Sequence, residues 1–272
     1  MSYLQNLHTH TTFCDGKHTP EEMVHYAIDK GFDSLGFSGH SRMVYSPYSK
    51  VTVESTEQYK KEINTLKSRY ADRLKIYLGL EVDIYSDVDL SGYDYLIGSV
   101  HYLKMDEGYI GIDRSAPTIK NLIDTHFQGD SLRLAKAYYE TVSMLPQYGD
   151  FDIIGHFDLI TKNIEIMPLF DIEGKSYMNL AFDAMHALKD KIPFFEVNTG
   201  AVARGFRSTP YPCVNLMKEL NRLGFGAVIT SDCHDGTKLD CGFADARLLL
   251  KLCGFKSHYI LTDTGFEAID LL

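Results

Sequence analysis

The chain has 272 residues, 44% of them hydrophobic, and a net charge of −10. That much apolar material can bury one large core, so residues 1–272 are expected to form a single domain. The acidic balance, with no basic patch interleaved with aromatics, argues against a nucleic-acid partner, and no run of about 18 apolar residues marks a membrane span.

The first strand is expected over 3–8 and runs into His8-Thr9-His10, followed by Asp15-Gly16. Alternate residues of an extended segment point the same way, so His8 and His10 can reach one ion together. Thr19-Pro20-Glu21-Glu22 reads as an N-cap, a proline at the first helical position and acids in the first turn, with the helix stopping near Lys30-Gly31. A strand over 33–38 stops at Gly39-His40, and the stretch 41–55, with Tyr45, Pro47 and Tyr48, is too long for a minimal connection. A helix is predicted over 56–70, then strands over 75–81, ending on Glu81, and 94–100, ending before His101. The long stretch 104–129, with Tyr109, Ile110, Asp113 and His126, reads as a loop that walls or covers a pocket. Beyond it come a helix over 131–145, a strand over 152–156 ending on His156, a helix over 174–190 and a strand over 193–198. A helix over 211–223 and a strand over 226–231 follow; the strand runs into Asp232 and His234, and a last helix covers 242–252.

Strand and helix alternate throughout, which argues for seven parallel strands closed or nearly closed by an outer ring of helices. Functional residues of such barrels lie at the carboxyl ends of the strands. Nine potential ligands sit there: His8, His10, Asp15, His40, Glu81, His101, His156, Asp232 and His234. One strand-end histidine is unremarkable, but a set repeated strand after strand points to a multinuclear metal site. Asp232 and His234, two residues apart, could serve one ion or two neighbouring ions. Imidazoles beside carboxylates suit zinc, iron or manganese.

The five cysteines, Cys14, Cys213, Cys233, Cys241 and Cys253, are odd in number and form no CxxC pair, which argues against a secreted disulfide scaffold. With no basic-then-apolar leader at the N-terminus, a cytoplasmic location is expected. Cys14 and Cys233 adjoin predicted ligands, but in extended segments each would point away from His10 or His234 and act as a small packing residue.

Taken together, His8-Thr9-His10 with Asp15-Gly16, Gly39-His40, Gly79-Leu80-Glu81, Ser99-Val100-His101, Gly155-His156-Phe157-Asp158, Glu196-Val197-Asn198-Thr199 and Ser231-Asp232-Cys233-His234 resemble the polymerase and histidinol phosphatase (PHP) family of metal-dependent phosphoesterases. The resemblance implies a distorted (β/α)7 TIM-like barrel with three divalent ions, Zn, Fe or Mn, at the carboxyl ends of its strands. His8, His10, Glu81 and Asp232 would hold the first ion; Glu81, His101 and His156 the second; Asp15, His40 and His234 the third. Glu81 would bridge two ions, and His126 is a competitor for the second. Some family members carry a His where this chain has Asp15, a harder ligand. The length and the Glu-x-Asn-Thr segment resemble the stand-alone histidinol-phosphate phosphatases. That implies hydrolysis of L-histidinol phosphate to L-histidinol and phosphate, by attack of a metal-bridging hydroxide, in histidine biosynthesis. A phosphatase or phosphodiesterase acting on nucleotides or another small phosphate ester is the alternative, and a non-catalytic metal-binding module a third.

A phosphoryl group also needs cations from the protein. Arg204 and Arg207, after the predicted strand at 193–198, can grip phosphate oxygens as a fork, and Arg204 is preferred because its distance from the Glu-x-Asn-Thr segment fits the resemblance better. Lys162, where the histidinol phosphatases tend to carry Arg, and Arg42, just after His40, are the other candidates. Glu81, Asp232, His234 and Arg204 form the expected catalytic group. Asp83, Asp158 and Asp235 read as surface or loop-capping carboxylates rather than partners of ligands. One of these three, His234 or a metal-bound water would protonate the leaving alkoxide. The partner is a small phosphorylated substrate, and the chain is expected to be a monomer or homodimer.

Overall fold

Strand and helix alternate along the chain as the apolar runs predict. The structure is a computed structural model and describes residues 3–271. Its strands are β1 (Gln5–Asn6), β2 (Ser34–Phe37), β3 (Lys75–Asp83), β4 (Tyr95–Ser99), β5 (Tyr102–Met105), β6 (Gly108–Gly111), β7 (Ile153–Ile154), β8 (Phe194–Asn198), β9 (Gly226–Thr230), β10 (Ser257–Thr262) and β11 (Gly265–Asp270). The helices are α1 (Pro20–Asp29), α2 (Val53–Arg69), α3 (Ala116–His126), α4 (Ser131–Ser143), α5 (Lys175–Leu188), α6 (Gly200–Ala203), α7 (Val214–Leu223) and α8 (Phe243–Leu252). Local chemistry sets several boundaries. Thr19 and Glu22 form a reciprocal capping box with Pro20 opening α1, Thr52 caps α2, and α7 stops at Gly224, whose φ of 87° suits a residue without a Cβ.

Seven strands pair in the order β1-β2-β3-β4-β7-β8-β9, every neighbouring pair parallel. β1 and β9 close the ring just beyond their ends. There His10 N–H donates to Cys233 O (2.9 Å) and Cys233 N–H to His8 O (2.9 Å). Buried Asn6 secures the seam: its Nδ2 donates to Ser231 Oγ (2.7 Å), and its Oδ1 accepts from His8 N–H (3.0 Å) and Ser231 N–H (3.3 Å). The closure therefore fixes the backbone that carries four of the predicted ligands. The result is a seven-stranded TIM-like barrel.

Inside the barrel Leu7, Tyr77, Tyr95, Ile97, Ile153, Val228 and Leu261 pack together. Fully buried Tyr95 spans the interior and donates its hydroxyl to Leu7 O and to Phe37 O. Gly36 and Gly79 make room for that ring, because a Cβ at either position would run into it.

The structure corrects the reading of 104–129 as a loop. It holds the antiparallel hairpin β5–β6 and helix α3, so His126 is the last residue of a helix, with Nδ1 2.8 Å from Thr125 Oγ1. The stretch 41–55 also ends sooner than expected, since α2 starts at Val53. A C-terminal hairpin, β10–β11, was not predicted; Gln5 exchanges side-chain hydrogen bonds of 2.7 and 2.8 Å with the Leu261 backbone and anchors it under the barrel. Among the described residues no helix is long and apolar enough to cross a membrane.

Candidate metal centre

Six of the seven barrel strands deliver a potential ligand to one rim. His8, His10 and Asp15 follow β1; His40 follows β2; Glu81 lies in the last turn of side chains of β3; His101 follows β4, His156 follows β7, and Asp232 and His234 follow β9. β8 contributes Glu196 from its middle and Arg204 from the loop beyond it. The nine predicted ligands converge on one cluster.

Glu81 is its hub. Its Oε2 lies 3.4 Å from His8 Nε2, 3.6 Å from His10 Nε2 and 2.7 Å from His40 Nδ1, while its Oε1 lies 3.4 Å from His101 Nε2 and 3.0 Å from His156 Nε2. Asp232 Oδ1 adds to the first side, 3.7 Å from His8 Nε2 and 3.1 Å from His10 Nε2. On the second side His101 and His156 bring their Nε2 atoms within 3.1 Å of each other. A third group forms around Asp15, whose carboxylate lies 3.6 Å from His40 Nε2, 3.3 Å from His234 Nε2 and 3.4 Å from His10 Nδ1. His40 thus stands between groups, with one ring nitrogen on Glu81 and the other on Asp15.

These residues fit divalent cations. His8 Nε2, His10 Nε2 and Glu81 Oε2 are buried without hydrogen-bond partners, a costly arrangement unless a ligand satisfies them. Donors about 3 to 3.5 Å apart can share one ion with bonds of about 2.0–2.2 Å. Three overlapping sets bring one ligand atom from each residue within 4.8 Å of the others: His10, Asp15, His40 and His234; His8, His10 and Asp232; His40, Glu81 and His101.

Electrostatics agree with the geometry. Burial alone would push the His8 imidazole down, but Glu196, Glu81 and Asp232 carry it up to about 10. Burial likewise opposes ionisation of Glu81 and Asp232, yet His40 and His8 around the one, and Arg204 and His8 around the other, hold both carboxyls well below the usual range. The pocket is a field that draws cations. Asp232 itself has a φ of 45°, a left-handed conformation that Asp tolerates and that aims its carboxylate inward. Gly200 lets β8's loop pass close by: a Cβ there would lie 2.9 Å from Asp232 Cβ.

Sequence reasoning missed two partners of these ligands. Glu196 is fully buried; its Oε2 lies 2.8 Å from His8 Nδ1, and its Oε1 accepts from His156 N–H. A carboxylate on Nδ1 keeps the proton there and turns the Nε2 lone pair toward Glu81 and Asp232. Asp83 corrects the expectation of a surface carboxylate: it is 1% exposed, accepts from His101 N–H (2.8 Å) and lies 3.3 Å from His101 Nδ1. Its position two residues after Glu81 on β3, pointing the same way, was the available signal. Asp158 is also buried, accepting from Cys213 N–H (3.0 Å) and Thr161 Oγ1 (3.2 Å), whereas Asp235 is the expected loop cap, accepting from Thr237 N–H (3.1 Å). Cys14 does not point away from His10. It lies in a tight turn, not a strand, with Sγ 3.4 Å from His10 Nδ1. Cys233 donates its thiol to Asp235 O (3.1 Å).

Of the four predicted phosphate-binding residues, Arg204 is nearest the cluster. It donates to Asp232 O and Oδ2, both at 3.0 Å, and its Nη1 lies 3.2 Å from His234 Nδ1. Lys162 donates to Asp113 Oδ1 at 2.6 Å. Arg207 is buried, donating to Thr161 Oγ1 (2.6 Å) with its guanidinium 4.5 Å from the Tyr211 ring centroid. Arg42 is half-buried. The structure brings Arg204 to the cluster, pairs Lys162 with Asp113, and buries Arg207 beside Thr161 and Tyr211.

Fold and site define a parallel barrel protein built around a His/carboxylate cluster suited to binding metal. Residues 6–200 match the PHP domain, and the chain belongs to this family. Among curated relatives it is 27% identical to the histidinol-phosphatase of Bacillus subtilis, over 87% of this chain and 95% of that protein, and 27% identical to the histidinol-phosphatase of Lactococcus lactis, over 96% and 94%. A crystal structure of histidinol phosphate phosphatase from Lactococcus lactis, complexed with zinc, L-histidinol and phosphate, superposes with a TM-score of 0.74 at 20% identity, covering 97% of this chain and 98% of that one.

Proposed function

We propose that this protein is a phosphomonoesterase that hydrolyses L-histidinol phosphate to L-histidinol and phosphate, a step of histidine biosynthesis. The observation that carries the reading is a complete ligand set, centred on Glu81, in a chain similar along almost its whole length to two histidinol-phosphatases. We assign three divalent ions, of zinc, iron or manganese, to His8, His10, Glu81 and Asp232; to Glu81, His101 and His156; and to Asp15, His40 and His234. When bound, such ions supply a nucleophile at neutral pH and stabilise charge on the phosphoryl oxygens.

The chain's own residues do the rest. Glu81 offers one oxygen to each of two groups and offsets the repulsion between neighbouring cations. Arg204 is oriented by its bonds to Asp232, which leave a planar donor array beside the cluster for phosphate oxygens. Lys162 supplies a second positive charge from the opposite loop. His234, beside Arg204, serves the third ion rather than the leaving alkoxide, because its Nε2 faces Asp15 and its Nδ1 lies 3.0 Å from Asp232 O. The net charge of −10 disfavours polynucleotide substrates, and five unpaired cysteines suit the cytoplasm.

Complementation tests the assignment in a cell. A strain lacking its own histidinol-phosphate phosphatase is expected to grow without histidine when it carries this chain, and not when it carries the Glu81→Ala variant. A strain that expresses the folded wild-type protein and still requires histidine would contradict the proposal.

A further inference from the structure

The pair formed by Lys162 and Asp113 holds a basic residue of the proposed phosphate site against an acid on the cavity wall. Lys162 Nζ and Asp113 Oδ1 are 2.6 Å apart, and the two side chains are 16% and 40% exposed. Their backbones are tied down independently of the pair. Ile112 N–H donates to His101 O (2.9 Å), which sets Asp113 beside a predicted ligand, and Asn163 Nδ2 donates to Arg114 O (2.8 Å), which joins the two loops one residue further on. Opening the ion pair therefore leaves both residues in place. Asp113, with Asp15, His40, His101 and Tyr102, lines a cavity of about 150 Å³ next to the metal cluster. Besides Lys162, Arg204 and the His101 imidazole are the groups near enough to act on the Asp113 carboxylate.

We infer that Asp113 is the specificity-determining residue for an ammonium group on the substrate, and that the Lys162–Asp113 pair exchanges partners when a phosphate ester carrying an amine two carbons from its ester oxygen binds. The inference rests on the phosphomonoesterase reading above. A phosphate dianion takes Lys162, and a substrate without an amine then leaves Asp113 partly buried beside a second negative charge. A 2-aminoalkyl phosphate supplies the missing cation, so one internal ion pair becomes two intermolecular ones. The adjacency of Lys162 and Asp113 matches the adjacency of phosphate and ammonium in such esters. Selectivity comes from what a wrong substrate leaves unpaired, which discriminates more strongly than apolar contact.

The test compares kcat/KM of the metal-loaded enzyme on two matched pairs: L-histidinol phosphate against 3-(imidazol-4-yl)propyl phosphate, and 2-aminoethyl phosphate against ethyl phosphate. Wild type is expected to favour the amine-bearing member of each pair by at least about 10-fold. Asp113→Asn is expected to bring both ratios close to one, chiefly through KM of the amine-bearing ester, and Asp113→Glu to keep part of the preference. A wild-type ratio near one, or a loss in Asp113→Asn that falls equally on both members, would overturn the inference. If wild type prefers 2-aminoethyl phosphate but ignores L-histidinol phosphate, the histidinol assignment fails and the role of Asp113 stands. If it hydrolyses L-histidinol phosphate efficiently and Asp113→Asn keeps the wild-type ratios, the reverse holds.

Discussion

Glu196 touches two ligands at once, the side chain of His8 and the backbone of His156, so it sets the aim of one imidazole and the position of another. Glu196→Gln keeps the shape but weakens the hold on the Nδ1 proton. It is expected to lower metal affinity about 10- to 100-fold, measured as metal retained after dialysis; wild-type retention would show that His8 needs no such partner. Arg204→Ala is expected to reduce turnover by about 100-fold or more while the metals stay bound. Unchanged kinetics would shift the phosphate contact to Lys162. The convergence of the nine expected ligands was legible because six apolar runs each end on or beside one of them, a local pattern. Glu196 was not, since its partner His8 lies 188 residues away, and the orientation of Cys14 was misread because a turn at residues 12–15 replaces the extended chain.

The strands themselves were legible from the same apolar runs, and their parallel order followed from the helices between them. Helix α3 also left a signal: Pro117 near its start and Ile119, Leu122 and Ile123 at helical spacing, all three isoleucine and leucine side chains buried. The hairpin β10–β11 pairs locally and was passed over, but its docking left no local signal, because Gln5 and Leu261 exchange bonds across 256 residues, a contact no window of sequence contains. What the sequence does contain is glycine in the middle of β2 and β3, and the structure explains it by the Tyr95 ring. Gly79→Val would force side chain into ring and is expected to destabilise the barrel by about 1–3 kcal/mol, seen as a lower denaturant midpoint. An unchanged midpoint would mean that Tyr95 can leave the interior without cost.

Across the whole molecule, the metal centre is where the ends of the barrel strands meet, so ion binding and folding are coupled. An ion present at about 1,000 times its Kd adds about 4 kcal/mol of stability. Chelation is therefore expected to lower Tm by several degrees, with recovery on adding zinc or manganese; equal melting of the stripped and loaded protein would mean that the cluster is held by protein contacts alone. The fold class and the cluster could be read from sequence, while the exchange of partners between Lys162 and Asp113 could not, because it depends on two loops meeting at 2.6 Å.

The most direct test of the account is phosphate release by the metal-replete protein from L-histidinol phosphate, run beside nucleotides and sugar phosphates. We expect kcat/KM for L-histidinol phosphate of about 10⁴ M⁻¹s⁻¹ or more, far above the rest of the panel. Weak activity spread evenly over the panel would contradict the assignment to histidine biosynthesis.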